Sequence, residues 1–84
     1  VKGNATAAEK RWMDRVAGLG CMICKNPAQV HHLQCFKPRN NCGVIPLCPE
    51  HHMGVFSIHK TKAEFLRVYG DEINLLAETI RRLA

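Results

Sequence analysis

Val30-His31-His32-Leu33 and, ten residues later, Val44-Ile45-Pro46-Leu47-Cys48-Pro49-Glu50-His51-His52 form the stretch on which the fold turns. The Gln-Val-His-His-Leu core of 28–35 reads as a short strand, and strand alternation sends His31 and His32 to opposite faces. From Phe36 to Gly43 the chain is polar and rich in turn formers, with Lys37, Pro38, Arg39, Asn40 and Asn41. It predicts a loop returning into the apolar strand Val44–Leu47, hence a hairpin with a basic tip. Pro49 and Glu50 suit the first turn of a short helix. Strand, strand and helix make a ββα unit, and the fold class is α+β.

Just upstream, Cys21-Met22-Ile23-Cys24 and the turn Lys25-Asn26-Pro27 have the form of a zinc knuckle. Cys48-Pro49-Glu50-His51 is its counterpart about 25 residues on, so Cys21, Cys24, Cys48 and His51 offer four ligands to one structural zinc. The alternative of unliganded buried thiols does not account for the doubled spacing. Disulfides fit less well, because the five cysteines are an odd number and no secretory signal is visible. The cysteine usage points to a reducing, cytoplasmic compartment. An 84-residue chain has little core of its own, which is a further reason to expect a metal.

Further out, Thr6-Ala7-Ala8-Glu9 has the capping-box pattern, and Trp12, Val16 and Leu19 follow at helical spacing, predicting a helix over about 7–17 that Gly18 and Gly20 end. Trp12 is read as a core anchor against the final helix rather than a base-stacking platform. Thr61-Lys62-Ala63-Glu64 reads as a second capping box ahead of Phe65, Leu66, Val68 and Tyr69. After Gly70 a last helix begins at Asp71, with Ile73, Leu76, Ala77, Ile80 and Leu83 as its apolar face. The expected layout is one domain over 1–84: an N-terminal helix, a core with its knuckles over about 20–60, and C-terminal helices over about 61–83. The chain starts at Val1, as a fragment or processed product would.

Twelve Lys and Arg against seven Asp and Glu give a formal charge of +5, which favours a polyanionic partner such as nucleic acid. No apolar run reaches the roughly 20 residues a membrane span needs. His31, His32 and His52 converge on one groove if the hairpin closes as predicted. Phosphodiester cleavage needs an activated water and a cation against the phosphate. His32 can serve as the base, with His31 and His52 as ligands to a catalytic ion, Mg2+ or another divalent cation. His59, seven residues after His52, stays open between ligand, phosphate contact and surface residue, with Gly54 arguing against a helix that continues to it. Cys35 and Cys42 lack knuckle spacing and are read as packing. Lys37, Arg39, Lys60 and Lys62 are candidate phosphate contacts. Nothing points to base-specific readout, so DNA structure or a partner protein is expected to choose the cleavage position.

His31-His32-Leu33, a short loop and then Ile45-Pro46-Leu47-Cys48-Pro49-Glu50-His51-His52 resemble the core of HNH (ββα-metal) endonucleases, and within them the phage recombination-enhancement, Ref-like nucleases that depend on RecA. The likeness spans about 20–70, including the earlier Cys-x-x-Cys and the later Ile58-His59 and Tyr69-Gly70. It implies metal-dependent cleavage of DNA within RecA-paired strands, with His31 and His52 on the metal and His32 as base. Many HNH enzymes carry Asp where this chain has His31. Their Asn five residues before the knuckle cysteine is Gly43 here, with Asn40 or Asn41 as stand-in. The expected function is a monomeric DNA endonuclease of phage recombination, working in the host cytoplasm with the RecA filament as partner. The rivals are a noncatalytic zinc-dependent DNA-binding module and, behind it, a protein-interaction zinc domain.

Overall fold

All four residues of the strand Val44–Leu47 are buried, and the rest of the chain is arranged to cover them. Burying each Val, Ile or Leu side chain contributes about 1.5–3 kcal/mol, so this short apolar run is the natural centre of a small core. The structure, a computed structural model, describes residues 5–84; residues 1–4, included in the single-domain expectation, lie outside them. It is a small α+β fold in the order α1 (Ala7–Gly18), β1 (Gln29–His32), β2 (Val44–Leu47), α2 (Pro49–Met53), α3 (Lys62–Tyr69) and α4 (Glu72–Leu83). The strands form one antiparallel hairpin with His31 opposite Ile45 and His32 opposite Val44.

Pro46 has no N–H for a ladder, yet its carbonyl accepts from the Met22 amide at 2.9 Å, which attaches the first knuckle to the back of the hairpin. Cys21, Met22, Leu33, Ile45, Leu47, Cys48, Ile58, Phe65 and Leu75 make one continuous core, with Phe36, Leu66, Tyr69 and Leu76 packed around it. Gly43 ends the hairpin loop because the Phe36 ring lies where its Cβ would be. A side chain at position 43, an amide included, would therefore require the Phe36 ring to move aside.

The first capping box forms as the sequence predicts: the Thr6 hydroxyl accepts from the Glu9 amide and the Glu9 carboxylate accepts from the Thr6 amide. The second does not. Thr61 caps no amide of α3; its hydroxyl donates to the Ser57 carbonyl and accepts from the Ser57 amide, closing the preceding loop instead. Trp12 is half-buried, and its indole N–H donates to the Cys42 carbonyl, so its polar contact ties α1 to the hairpin loop rather than to the last helix.

Asp71 caps α4 as expected, accepting from the Asn74 amide, but the helix is turned differently from the sequence reading. Its buried stripe is Glu72, Leu75 and Thr79, while Ile73 and Ile80 are about half exposed. Apolar counting missed this face because one of its members is a carboxylate with a partner in the core, and another is a threonine whose hydroxyl is satisfied by the Leu75 carbonyl. Among the described residues no helix is long and apolar enough to cross a membrane.

Candidate functional site

Cys21, Cys24, Cys48 and His51 come together as the knuckle spacing predicts, close enough to hold one metal ion. From zinc bonds of about 2.3 Å to sulfur and about 2.0–2.1 Å to nitrogen, two sulfurs on a tetrahedral ion lie roughly 3.8 Å apart and a sulfur–nitrogen pair roughly 3.6 Å. Here Cys24 Sγ is 3.6 Å from Cys48 Sγ, and His51 Nδ1 is 3.6 Å from Cys21 Sγ and 3.2 Å from Cys48 Sγ. The donors fit such an ion in kind and in spacing. Burial pushes the Cys21 thiol up, but hydrogen bonds from the backbone of Cys48, Cys24 and Ile23 and from the Cys24 side chain bring it down to about 7, toward the thiolate that a metal requires. The His51 ring stands edge-on to Tyr69, with centroids 6.1 Å apart, which shields this cluster on its aromatic side.

His52, the next residue of α2, belongs to a second group with His31 and His59, also close enough to hold one ion. Ring centroids are 5.2 Å apart for His31 and His52, 5.0 Å for His31 and His59, and 4.7 Å for His52 and His59. Nε2 of His52 faces Nε2 of His59 at 3.1 Å, near the roughly 3.3 Å expected of two nitrogens on one tetrahedral ion. α2 stops at Met53, so His59 does not arrive by helical periodicity. Segment 54–60 folds back instead: the Ile58 amide donates to the His51 carbonyl and the His59 amide to the His52 carbonyl. The loop returns His59 to His31 and His52, beside which its ring nitrogen lies.

Burial holds the His31 imidazole below its ordinary pKa against the opposing pull of Glu72, with the His59 and Lys62 charges lowering it further. Desolvation, then the neighbouring charges of His31, His59 and His32, bring His52 down to about 4. Both rings are therefore neutral near pH 7, the form that ligates a metal. The Gln29 amide lies 3.0 Å from Nδ1 of His52; with its oxygen turned to an Nδ1–H, it would leave Nε2 of His52 free.

His32 stands apart from both groups, and its protonation pattern follows from its neighbours. A guanidinium nitrogen of Arg39 lies 3.0 Å from Nδ1, and guanidinium can only donate. Asn41 Oδ1 lies 2.9 Å from Nε2, while the amino end of the same amide donates to the Glu9 carboxylate, which can only accept. Both observations assign the proton to Nε2 and leave the lone pair on Nδ1. Of the two candidate stand-ins, Asn41 therefore reaches His32; Asn40 accepts from the Cys42 amide within the loop.

His31, His32, His52 and His59 line a groove of about 550 Å³ together with Lys37 and Arg39. Lys60 is exposed beside His59 and does not line it. Lys62 donates to Gln34 Oε1 at 2.6 Å and lies 3.9 Å from Glu72, so its charge is engaged within the fold. Cys35 and Cys42 are exposed free thiols rather than packing residues, because the loop carrying them lies on the surface. Sequence reading missed Glu72 and Gln29 as neighbours of the histidines, and Glu9, which reaches His32 through Asn41. Only Glu9 carried a local signal, and that signal was for a helix cap.

The family described as recombination enhancement, RecA-dependent nuclease matches residues 5–84. No curated protein and no solved structure matches the chain.

Proposed function

We propose, since the chain belongs to the RecA-dependent nuclease family of recombination enhancement, that it is an HNH-type DNA endonuclease in which His32 is the general base. The observation that carries this reading is the tautomer of His32: Asn41 and Arg39 together leave the lone pair on Nδ1, in a groove shared with three clustered imidazoles. A base must offer a lone pair to water, and a ring fixed at its far nitrogen is already oriented to do so. Arg39 covers that lone pair and is the group that must move to a phosphate when DNA enters. Lys37 lines the same groove and adds a second phosphate contact.

His31, His52 and His59 would hold the catalytic divalent ion. When bound, that ion neutralises charge on the attacked phosphate and stabilises the leaving oxygen. Three imidazole nitrogens suit a transition ion better than Mg2+, which prefers oxygen ligands. Cys21, Cys24, Cys48 and His51 would hold a structural zinc. The setting that goes with this chemistry is phage recombination on RecA-bound DNA in the host cytoplasm, with the filament rather than base contacts choosing the substrate.

The test is cleavage of single-stranded, duplex and RecA-paired DNA by the native chain and by His32→Ala, with Mg2+, Mn2+ and Zn2+ compared. The expected result is cleavage by the native chain and a loss of about 10²–10⁴-fold in His32→Ala at unchanged zinc content. Retained cleavage in the variant overturns His32 as base. A folded, zinc-loaded native chain that binds every substrate and cuts none favours a noncatalytic binding module.

A further inference from the structure

Glu72 is 6 % exposed at the start of α4, while its neighbour Ile73 is 51 % exposed. Hydrophobic burial alone would select the opposite arrangement, because withdrawing a carboxylate from water costs several kcal/mol unless partners compensate. Nor does α4 need Glu72 as a cap, since Asp71 already accepts from the Asn74 amide. What the burial achieves is contact. Oε2 of Glu72 lies 3.1 Å from Nε2 of His31, 3.4 Å from the Gln34 amide nitrogen and 3.9 Å from the Lys62 ammonium. His31 itself is 1 % exposed, so no water competes for that ring nitrogen.

We propose that Glu72 is a positioning residue: by accepting the Nε2–H of His31 it fixes the imidazole tautomer and leaves Nδ1 as the nitrogen free to ligate a metal. A carboxylate can only accept, so a neutral His31 facing it must carry its proton on Nε2. Carboxylates of this kind raise the basicity of a ligating histidine and hold its ring plane. Lys62 has a part in the same arrangement: it offsets the carboxylate's charge and holds the Gln34 side chain, whose backbone amide also donates to Glu72. The inference rests on the reading of His31, His52 and His59 as metal ligands.

Two measurements test it. Nitrogen NMR of the native, zinc-loaded chain reads the His31 tautomer without any substitution; protonated Nε2 with bare Nδ1 is expected, and protonated Nδ1 overturns the proposal. Titration with Co2+, followed by its absorption, then compares the native chain with Glu72→Gln and His52→Ala. The expected outcome is a second ion bound by the native chain, bound about 10–100-fold more weakly by Glu72→Gln, at unchanged helix content. A native chain that takes up its second ion, with Glu72→Gln within twofold of it, overturns the role of Glu72 alone. A native chain with no second ion, or one whose second ion is indifferent to His52→Ala, overturns the ligand reading beneath it.

Discussion

His51 and His52 are adjacent on one turn of α2, yet they serve two clusters of different character. His51 joins three cysteines, two of them buried, and its ring is backed by Tyr69. His52 joins two imidazoles at the edge of a groove, beside a fourth histidine held by an amide and a guanidinium. The first cluster supplies four donors, enough to close a tetrahedral site around one ion. The second supplies three and would leave a tetrahedral ion one open position, which is what distinguishes catalytic from structural metal sites and supports the proposed roles. On the proposed reading, a single residue's shift along a short helix separates holding the fold from acting on a ligand, and it requires the helix to be fixed at both ends. Cys48 fixes its start, and the loop that returns His59 to His52 fixes its end.

The largest expected effect follows from the closed cluster. Structural zinc contributes on the order of 10 kcal/mol in small domains, comparable with the whole stability of such a fold. Cys48→Ser is therefore expected to abolish the cooperative thermal transition, while His52→Ala keeps it, as read by circular dichroism on zinc-loaded protein. A Cys48→Ser chain that melts at the native temperature breaks the comparison, since the two clusters would then be alike in their contribution to the fold.

A middle-sized effect is expected at the proposed base, His32. Asn41→Ala removes the acceptor for Nε2 of His32 but touches neither cluster, so the predicted result is a loss of about 10–100-fold in single-turnover cleavage with unchanged zinc content. The same variant should melt within about 1 kcal/mol of native, as a half-buried side chain with replaceable hydrogen bonds allows. Cleavage within twofold of native would show that His32 needs no anchor, and would leave Arg39 as its remaining hydrogen-bond partner among the described residues.

What was legible in the sequence was what is local. Two knuckles, a hairpin flanked by turn residues and a capping box each occupy a handful of consecutive residues, and the structure holds all of them. The four-donor cluster was legible because its ligands come in two short-range pairs. His59 was not, because it returns through an irregular loop whose path depends on the Ser57–Thr61 hydrogen bonds and not on periodicity. Thr61 was misread for the same reason, since a hydroxyl that could cap a helix found a nearer carbonyl. Glu72 was hidden more deeply: it is 41 residues from His31, and its helix reads by hydrophobicity as turned about a quarter turn away from the stripe that is buried. Polar groups buried for contact with a site run against the pattern that reveals a core, so a reading built on that pattern passes over them.

The smallest expected effect lies at Glu9, on a helix that contributes to neither cluster. The Thr6 amide, then the Asn41 side chain, hold its carboxyl below the ordinary value of 4.5. The folded chain thus favours the carboxylate, and the unfolded chain takes up a proton first as pH falls. Its contribution is complete above about pH 4.5 and is lost as the pH drops through the lower folded value. The difference in melting temperature between native and Glu9→Gln chains should accordingly narrow on acidification from neutral pH; a difference that widens toward acid contradicts the sign. The same substitution probes the base, because a glutamine can offer Asn41 a donor as well as an acceptor and so no longer dictates which end of the Asn41 amide faces His32. A small stability effect together with a measurable fall in cleavage would place α1 in the service of His32, whereas a stability effect alone would confine Glu9 to capping its helix.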